Sequence, residues 1–305
     1  MENNIDIYYN ENMNSSKKIV NFSTEKLEHA SYDYVMIMNN LNREGGSGGI
    51  HQLASSYKFT PAGKSGHPCV LDAVYNIDHM EYTSKDKRKI NWSFFEKKKF
   101  SSVLFNSSTE ENRKYLSRDS TKELIGSQWS SINSLFSTLP KLPVTGIVHA
   151  FVYDLIGMDQ TISHILSCLP IYENAGMQVC IKSLSDAKCD LSVELYDRGT
   201  NYNNGTFYAS YLGDGMYMGR EQRVFEFMCD KADFNAGYSI KAAEMNKSGY
   251  SYYSGTISVD VITGILGYCR MNEMIFSNSD STKEKSAGVL KRFVDIRATE
   301  YTDKM

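Results

Sequence analysis

The chain has 305 residues, 41% hydrophobic and 23% charged, enough to bury a core and too apolar for a disordered segment. A net charge of −3 speaks against a uniformly basic nucleic-acid protein and leaves room for a local cationic patch. Twenty-one tyrosines and fourteen phenylalanines against five prolines favour strands over proline-rich linkers.

Residues 1–22 are rich in Asn, Ser and Lys, with a short strand expected at Ile5–Tyr9. Leu27, Ala30, Tyr34 and Met38 fall at helical spacing behind Ser23 and Thr24, which predicts a helix ended by the Gly-rich stretch at 44–49. Gly63-Lys64-Ser65 has the end of a phosphate-binding loop. Lys58 stands where its first glycine is needed, so a turn is the better reading. Residues 69–82 are apolar enough for a strand pair.

Lys85–Phe100 (KDKRKINWSFFEKKKF) is the most cationic stretch. Lys85, Lys87, Arg88, Lys89, Lys97, Lys98 and Lys99 oppose only Asp86 and Glu96, with Trp92, Phe94 and Phe95 between them. Cations for phosphates beside aromatics for bases suit single-stranded nucleic acid. The alternative is a solvated strand edge whose aromatics enter the core and whose lysines discourage aggregation. Further on, capping-box patterns open at Ser108 and Ser120, and Ile125, Trp129, Ile132 and Phe136 form one apolar stripe. An amphipathic helix is therefore predicted near 120–138, ending before Pro140.

From Gly146 the pattern reads as strands. Ile147–Tyr153 is apolar on both faces, as in a central strand. Residues 191–196, 208–211, 224–228 and 257–261 suggest further strands. Turns are expected at 203–205, Gly213–Gly215 and Ser248–Gly249. A helix around Leu290, Phe293, Val294 and Arg297 closes the chain. The predicted organisation is a helical N-terminal region over 1–60, an antiparallel β-sandwich core over 61–275, and a C-terminal helix and tail over 276–305.

No catalytic motif is found in context, and no cofactor is expected. Six cysteines without zinc spacing, and no signal-peptide pattern, lead us to expect free thiols in a reducing compartment. His149 and the His164/Cys168 pair lack a sequence-adjacent orienting acid. Asp186, Asp190, Asp197 and Asp214 read as turn formers more readily than as metal ligands.

In Thr145–Asp154 (TGIVHAFVYD) a Pro-punctuated approach leads to Gly146, a hydrophobic stretch, and Asp154 eight positions later. This resembles the diagnostic segment of the plant-virus 30K movement-protein superfamily. Ile156 stands where many members have Arg, while Asp154-Leu155 matches a pair found in others. The resemblance covers about 20 residues, with a looser likeness over Pro140–Tyr268. It implies a jelly-roll-like sandwich with structural roles for Gly146 and Asp154. It also implies a non-enzymatic protein that binds single-stranded RNA, the viral genome or its ribonucleoprotein, self-associates, and touches membranes peripherally. Such a protein would work with host plasmodesmal proteins, in the host cytoplasm and at plasmodesmata. The alternative expectation is a viral structural protein (capsid, nucleocapsid or occlusion protein).

Overall fold

The computed structural model describes residues 6–8, 22–41, 47–63, 67–106, 109–116, 119–139, 145–168, 178–181, 201–204, 207–240, 243–281 and 284–305. Its N-terminal part contains β1 (Asp6–Tyr8), β2 (Leu27–Leu41), β3 (Ser47–Pro61), β4 (Val70–Thr83), β5 (Lys89–Asn91) and β6 (Lys99–Phe105). Helices α1 (Glu110–Leu116), α2 (Asp119–Ser137) and α3 (Thr145–Cys168) follow. Next come β7 (Gln178–Ile181), β8 (Asn201–Asn204), β9 (Phe207–Tyr217), β10 (Arg220–Ile240), β11 (Ala243–Asp260), β12 (Leu266–Ser281) and β13 (Glu284–Asp303).

The protein is mainly β, and all thirteen strands join one antiparallel sheet of order β1-β9-β10-β11-β12-β13-β2-β3-β4-β5. β6 also pairs with β4, β7 with β9 and β8 with β10. Sequence neighbours are mostly sheet neighbours. Among the pairings between strands distant in sequence, β1 joins β9, and β13 lies between β12 and β2 and joins the C-terminal strands to the N-terminal ones.

Period-two burial defines the inner face. Ala30, Tyr32, Tyr34, Met36 and Met38 are buried on β2, and Leu53, Ser55, Tyr57 and Phe59 on β3. Here α3 covers that face. It buries Val148, Phe151, Val152, Leu155, Ile156, Met158, Ile162, Ile165 and Leu166. At about 1.5–3 kcal/mol per fully buried apolar side chain, these nine represent roughly 15–25 kcal/mol of gross transfer free energy, before the entropy of ordering. Phe151 receives Tyr34 (4.8 Å, edge-on), Tyr57 and Phe95. Phe136 of α2 packs edge-on against Tyr153 of α3.

Strands far apart in the sheet order reach this one helix. Ser102 of β6 and Cys269 of β12 both touch it, and they lie on strands five steps apart. At about 4.8 Å per step a flat sheet would separate them by roughly 24 Å, whereas a helix is about 10–12 Å wide. The sheet therefore curls around α3.

Five expectations are corrected. Residues 147–153 belong to a helix, not a central strand, because the apolar pattern continues to Leu166 and a strand does not need that length. Residues 27–41 and 284–303 are strands β2 and β13 in place of the flanking N- and C-terminal helices. The i, i+4 spacings of Ala30, Tyr34 and Met38 are also even spacings, and these residues occupy one strand face. Gly213–Gly215 is not a turn. It lies within β9, where Leu212 is the extra residue of a bulge and Gly213 takes φ 143°. Ser248–Gly249 lies within β11.

The helix near 120–138 is present as α2, and Thr109, one residue past the predicted Ser108, caps α1 by accepting from the Asn112 N–H at 3.1 Å. Among the described residues no helix is long and apolar enough to cross a membrane.

Candidate nucleic-acid interface

The cationic stretch runs along the outer edge of β4. A turn at Ser84–Arg88, closed by Lys87 N–H to Ser84 O and Ser84 N–H to Arg88 O (both 2.9 Å), leads into β5. β5 pairs with Glu81–Thr83, and β6 pairs with Val70–Asn76 on the same edge. The linker between them docks on β4 through Trp92 N–H to Met80 O (2.8 Å), Lys97 N–H to Ile77 O (2.8 Å) and Ile77 N–H to Lys98 O (2.9 Å). Lys89 faces Thr83 and Lys99 faces Asn76 in register. The cations are thus spread over seven residue steps of β4, about 20 Å.

Lys85, Lys87, Arg88, Lys89, Lys97 and Lys99 are exposed, and Lys98 is half-buried. Lys89 Nζ pairs with Glu81 at 3.0 Å, and Lys98 Nζ donates to Thr138 Oγ1 at 3.2 Å. Lys87 (φ 59°) and Lys97 (φ 60°) are two of only three non-glycine residues with positive φ among the described residues. That conformation is uncommon for a lysine, and both instances fall in this one segment.

The aromatics of the stretch point the other way. Trp92 is 3% exposed and stacks on Tyr82 at 4.9 Å with Phe94 beside it, and Phe95 is fully buried. This edge therefore presents cations without exposed aromatic faces. An exposed aromatic group lies elsewhere, on the outer face of β11 and β12, where Tyr252 meets Tyr250 and Phe276.

β4 carries a bulge at the same place. Ser56 faces His79 and Tyr57 faces Ile77, so Asp78 is the extra residue and Asp78 and His79 both point outward. His79 Nδ1 lies 3.2 Å from Glu96 Oε1, immediately beside Lys97.

Gly146 and Asp154, which carry the family resemblance, both belong to α3, Gly146 in its first turn and Asp154 in its interior. Asp154 ends no strand. It accepts from Arg292 Nη2 (2.8 Å) and Nη1 (3.1 Å) and from the Tyr34 hydroxyl (2.6 Å). Arg292 also pairs with Glu273 (Nε–Oε2 2.8 Å, Nη2–Oε2 2.5 Å). Burial pushes the Asp154 carboxyl up and Arg292 pulls it back. Burial acts against the Arg292 charge too, but Asp154 and Glu273 keep it protonated.

Five residues on, Asp159 is held by the Tyr75 hydroxyl (2.9 Å to each oxygen) and by the Ser102 hydroxyl. Burial, opposed by those hydroxyls, pushes it up to about 7. These two aspartates fasten α3 to β2, β13, β4 and β6. The sequence signal for them is a pair of acids inside a long apolar run, which calls for buried partners. Which partners they find, Arg292 138 residues away among them, is decided by the topology.

Among the other sequence candidates, His149, His164 and Cys168 lie in α3, and Asp214 lies in β9. Ser65, Asp186, Asp190 and Asp197 lie outside the described residues, as do residues 191–196. Cys69, Cys229 and Cys269 are buried and form no disulfide. No protein-family model matches the chain, and no curated protein matches it.

Proposed function

We propose that this chain is a non-enzymatic binding protein for single-stranded nucleic acid that contacts phosphates along the outer edge of β4. In the setting its resemblance implies, it is a viral cell-to-cell movement protein carrying the viral genome through plasmodesmata, self-associating and touching membranes peripherally. In that reading the antiparallel sheet takes the place of the family's jelly-roll-like sandwich.

One observation carries the binding role. Six exposed cations and a seventh half-buried one follow a single sheet edge, with two of the lysines in a backbone conformation that side chains rarely adopt. A lysine row that only discouraged edge pairing would need neither strained lysine. With Trp92 and Phe95 inside the core, recognition here is by phosphate contact and is tolerant of sequence.

The test is a titration of the purified protein with fluorescent single-stranded RNA over a range of salt. The logarithm of affinity should fall linearly with the logarithm of salt concentration. Replacing Lys97, Lys98 and Lys99 by Gln should flatten that slope by about 2, three contacts at about 0.7 each. Absence of binding, or a slope unchanged in the triple variant, overturns the interface. Failure of a fluorescent fusion to reach plasmodesmata overturns the movement role alone.

A further inference from the structure

We infer that the His79–Glu96 pair sets the affinity of this cationic edge according to pH, so that the edge binds polyanions more tightly in mildly acidic than in alkaline solution. The inference rests on reading the edge as a phosphate-binding site. Glu96 is the one acidic residue on the linker that carries Lys97 and Lys98, and its carboxylate opposes the field those lysines present. The bulge at Asp78 turns His79 to the same side, and Lys97, in its left-handed conformation, donates its N–H to Ile77 just before that bulge. The bulge and the strained lysine together hold imidazole and carboxylate 3.2 Å apart.

With His79 neutral, Glu96 stands as an uncompensated negative charge among the lysines. With His79 protonated, imidazolium and carboxylate neutralise each other, and the edge gains one effective positive charge. The flanking charged groups are Asp78 and Glu81 on β4, Lys97 and Lys98 on the linker, and Lys58 on β3. Glu81 is engaged by Lys89. From β3, Ser55 contributes only a hydroxyl, which donates to the His79 carbonyl at 2.7 Å. His79 is about half exposed, so a proton can reach it without any rearrangement of the fold.

Binding of a fluorescent oligouridylate to the full chain, measured against salt at pH 8.0 and pH 5.5, tests this. For the wild type the salt slope should steepen by about 0.7 at the lower pH, one further phosphate contact, which at 0.1 M salt is a gain of about fivefold. His79→Gln should bind at both pH values with the shallower slope. Glu96→Gln should already bind about fivefold more tightly than wild type at pH 8.0. A wild-type slope that does not change with pH, a His79→Gln variant that keeps the full response, or a Glu96→Gln variant no tighter at pH 8.0 overturns the inference while the interface stands. No salt-dependent binding at either pH overturns the interface, and the inference with it. Both side chains are partly exposed, and unchanged far-UV circular dichroism of the variants separates loss of the switch from loss of the fold.

Discussion

Asp159 is a carboxyl group in the interior with hydroxyls for company and no cation among its hydrogen-bond partners. The Tyr75 and Ser102 hydroxyls can satisfy a neutral or an ionised acid, but hydroxyl dipoles do not repay the desolvation of a full charge. Its ionisation moves from 3.8 up to about 7 on folding. Between those values the folded state holds a proton that the unfolded chain has released, so stability falls as pH rises. The stabilisation present below about pH 4 is lost by about pH 7 and stays lost above it. At about 1.4 kcal/mol per pH unit the loss is on the order of 4 kcal/mol. Asp159→Asn keeps the shape and the hydroxyl partners and cannot ionise. Its urea midpoint should vary less between pH 5 and 8 than that of the wild type and lie above it at pH 8. A variant that tracks the wild-type profile across that range would remove Asp159 as the source.

At the scale of elements, α3 is held to the sheet by polar latches as well as by apolar contact. Arg292 stands between two buried acids, Asp154 on α3 and Glu273 on β12. Arg292→Met fills similar volume but leaves both carboxylates in the interior without their cation. Breaking a buried pair by removing one partner costs about 3–5 kcal/mol, and two stranded acids place this variant at the upper end. A urea unfolding curve measures the loss, and a change under 1 kcal/mol would show that the latch contributes little.

The sequence announces these elements unevenly. α2 is legible because Trp129, Ile132 and Phe136 leave one wet face, and the 3.6-residue period survives. α3 is not, since its first seven apolar residues look like a central strand. β2 is misread because Ala30, Tyr34 and Met38 satisfy both periods, and only Tyr32 and Met36 between them distinguish strand from helix. The cationic edge was visible as composition. That its aromatics turn inward, and that a bulge brings His79 to Glu96, depends on strand register, which one sequence does not encode locally.

For the whole molecule, the placement of β13 decides how many folding units there are. Read along the chain, residues 276–305 look like an appended tail beyond a core over 61–275. In the sheet, β13 hydrogen-bonds to β12 on one side and to β2 on the other, and it buries Val294, Ile296 and Ala298 on the inner face. It also supplies Arg292 to the α3 latch. Removing it would part β2 to β6 from the C-terminal strands, open two long edges, and leave Asp154 and Glu273 without their cation at the same time. Tail removal from an autonomous core would instead leave the remaining domain intact. Deleting residues 284–305 should therefore abolish the cooperative unfolding transition of the entire chain. It should also collapse the dispersed amide resonances of β2 and β3 together with those of β10 and β11. Survival of a cooperative transition, or of native resonances from either half, would show that the sheet is two folding units that meet at β13.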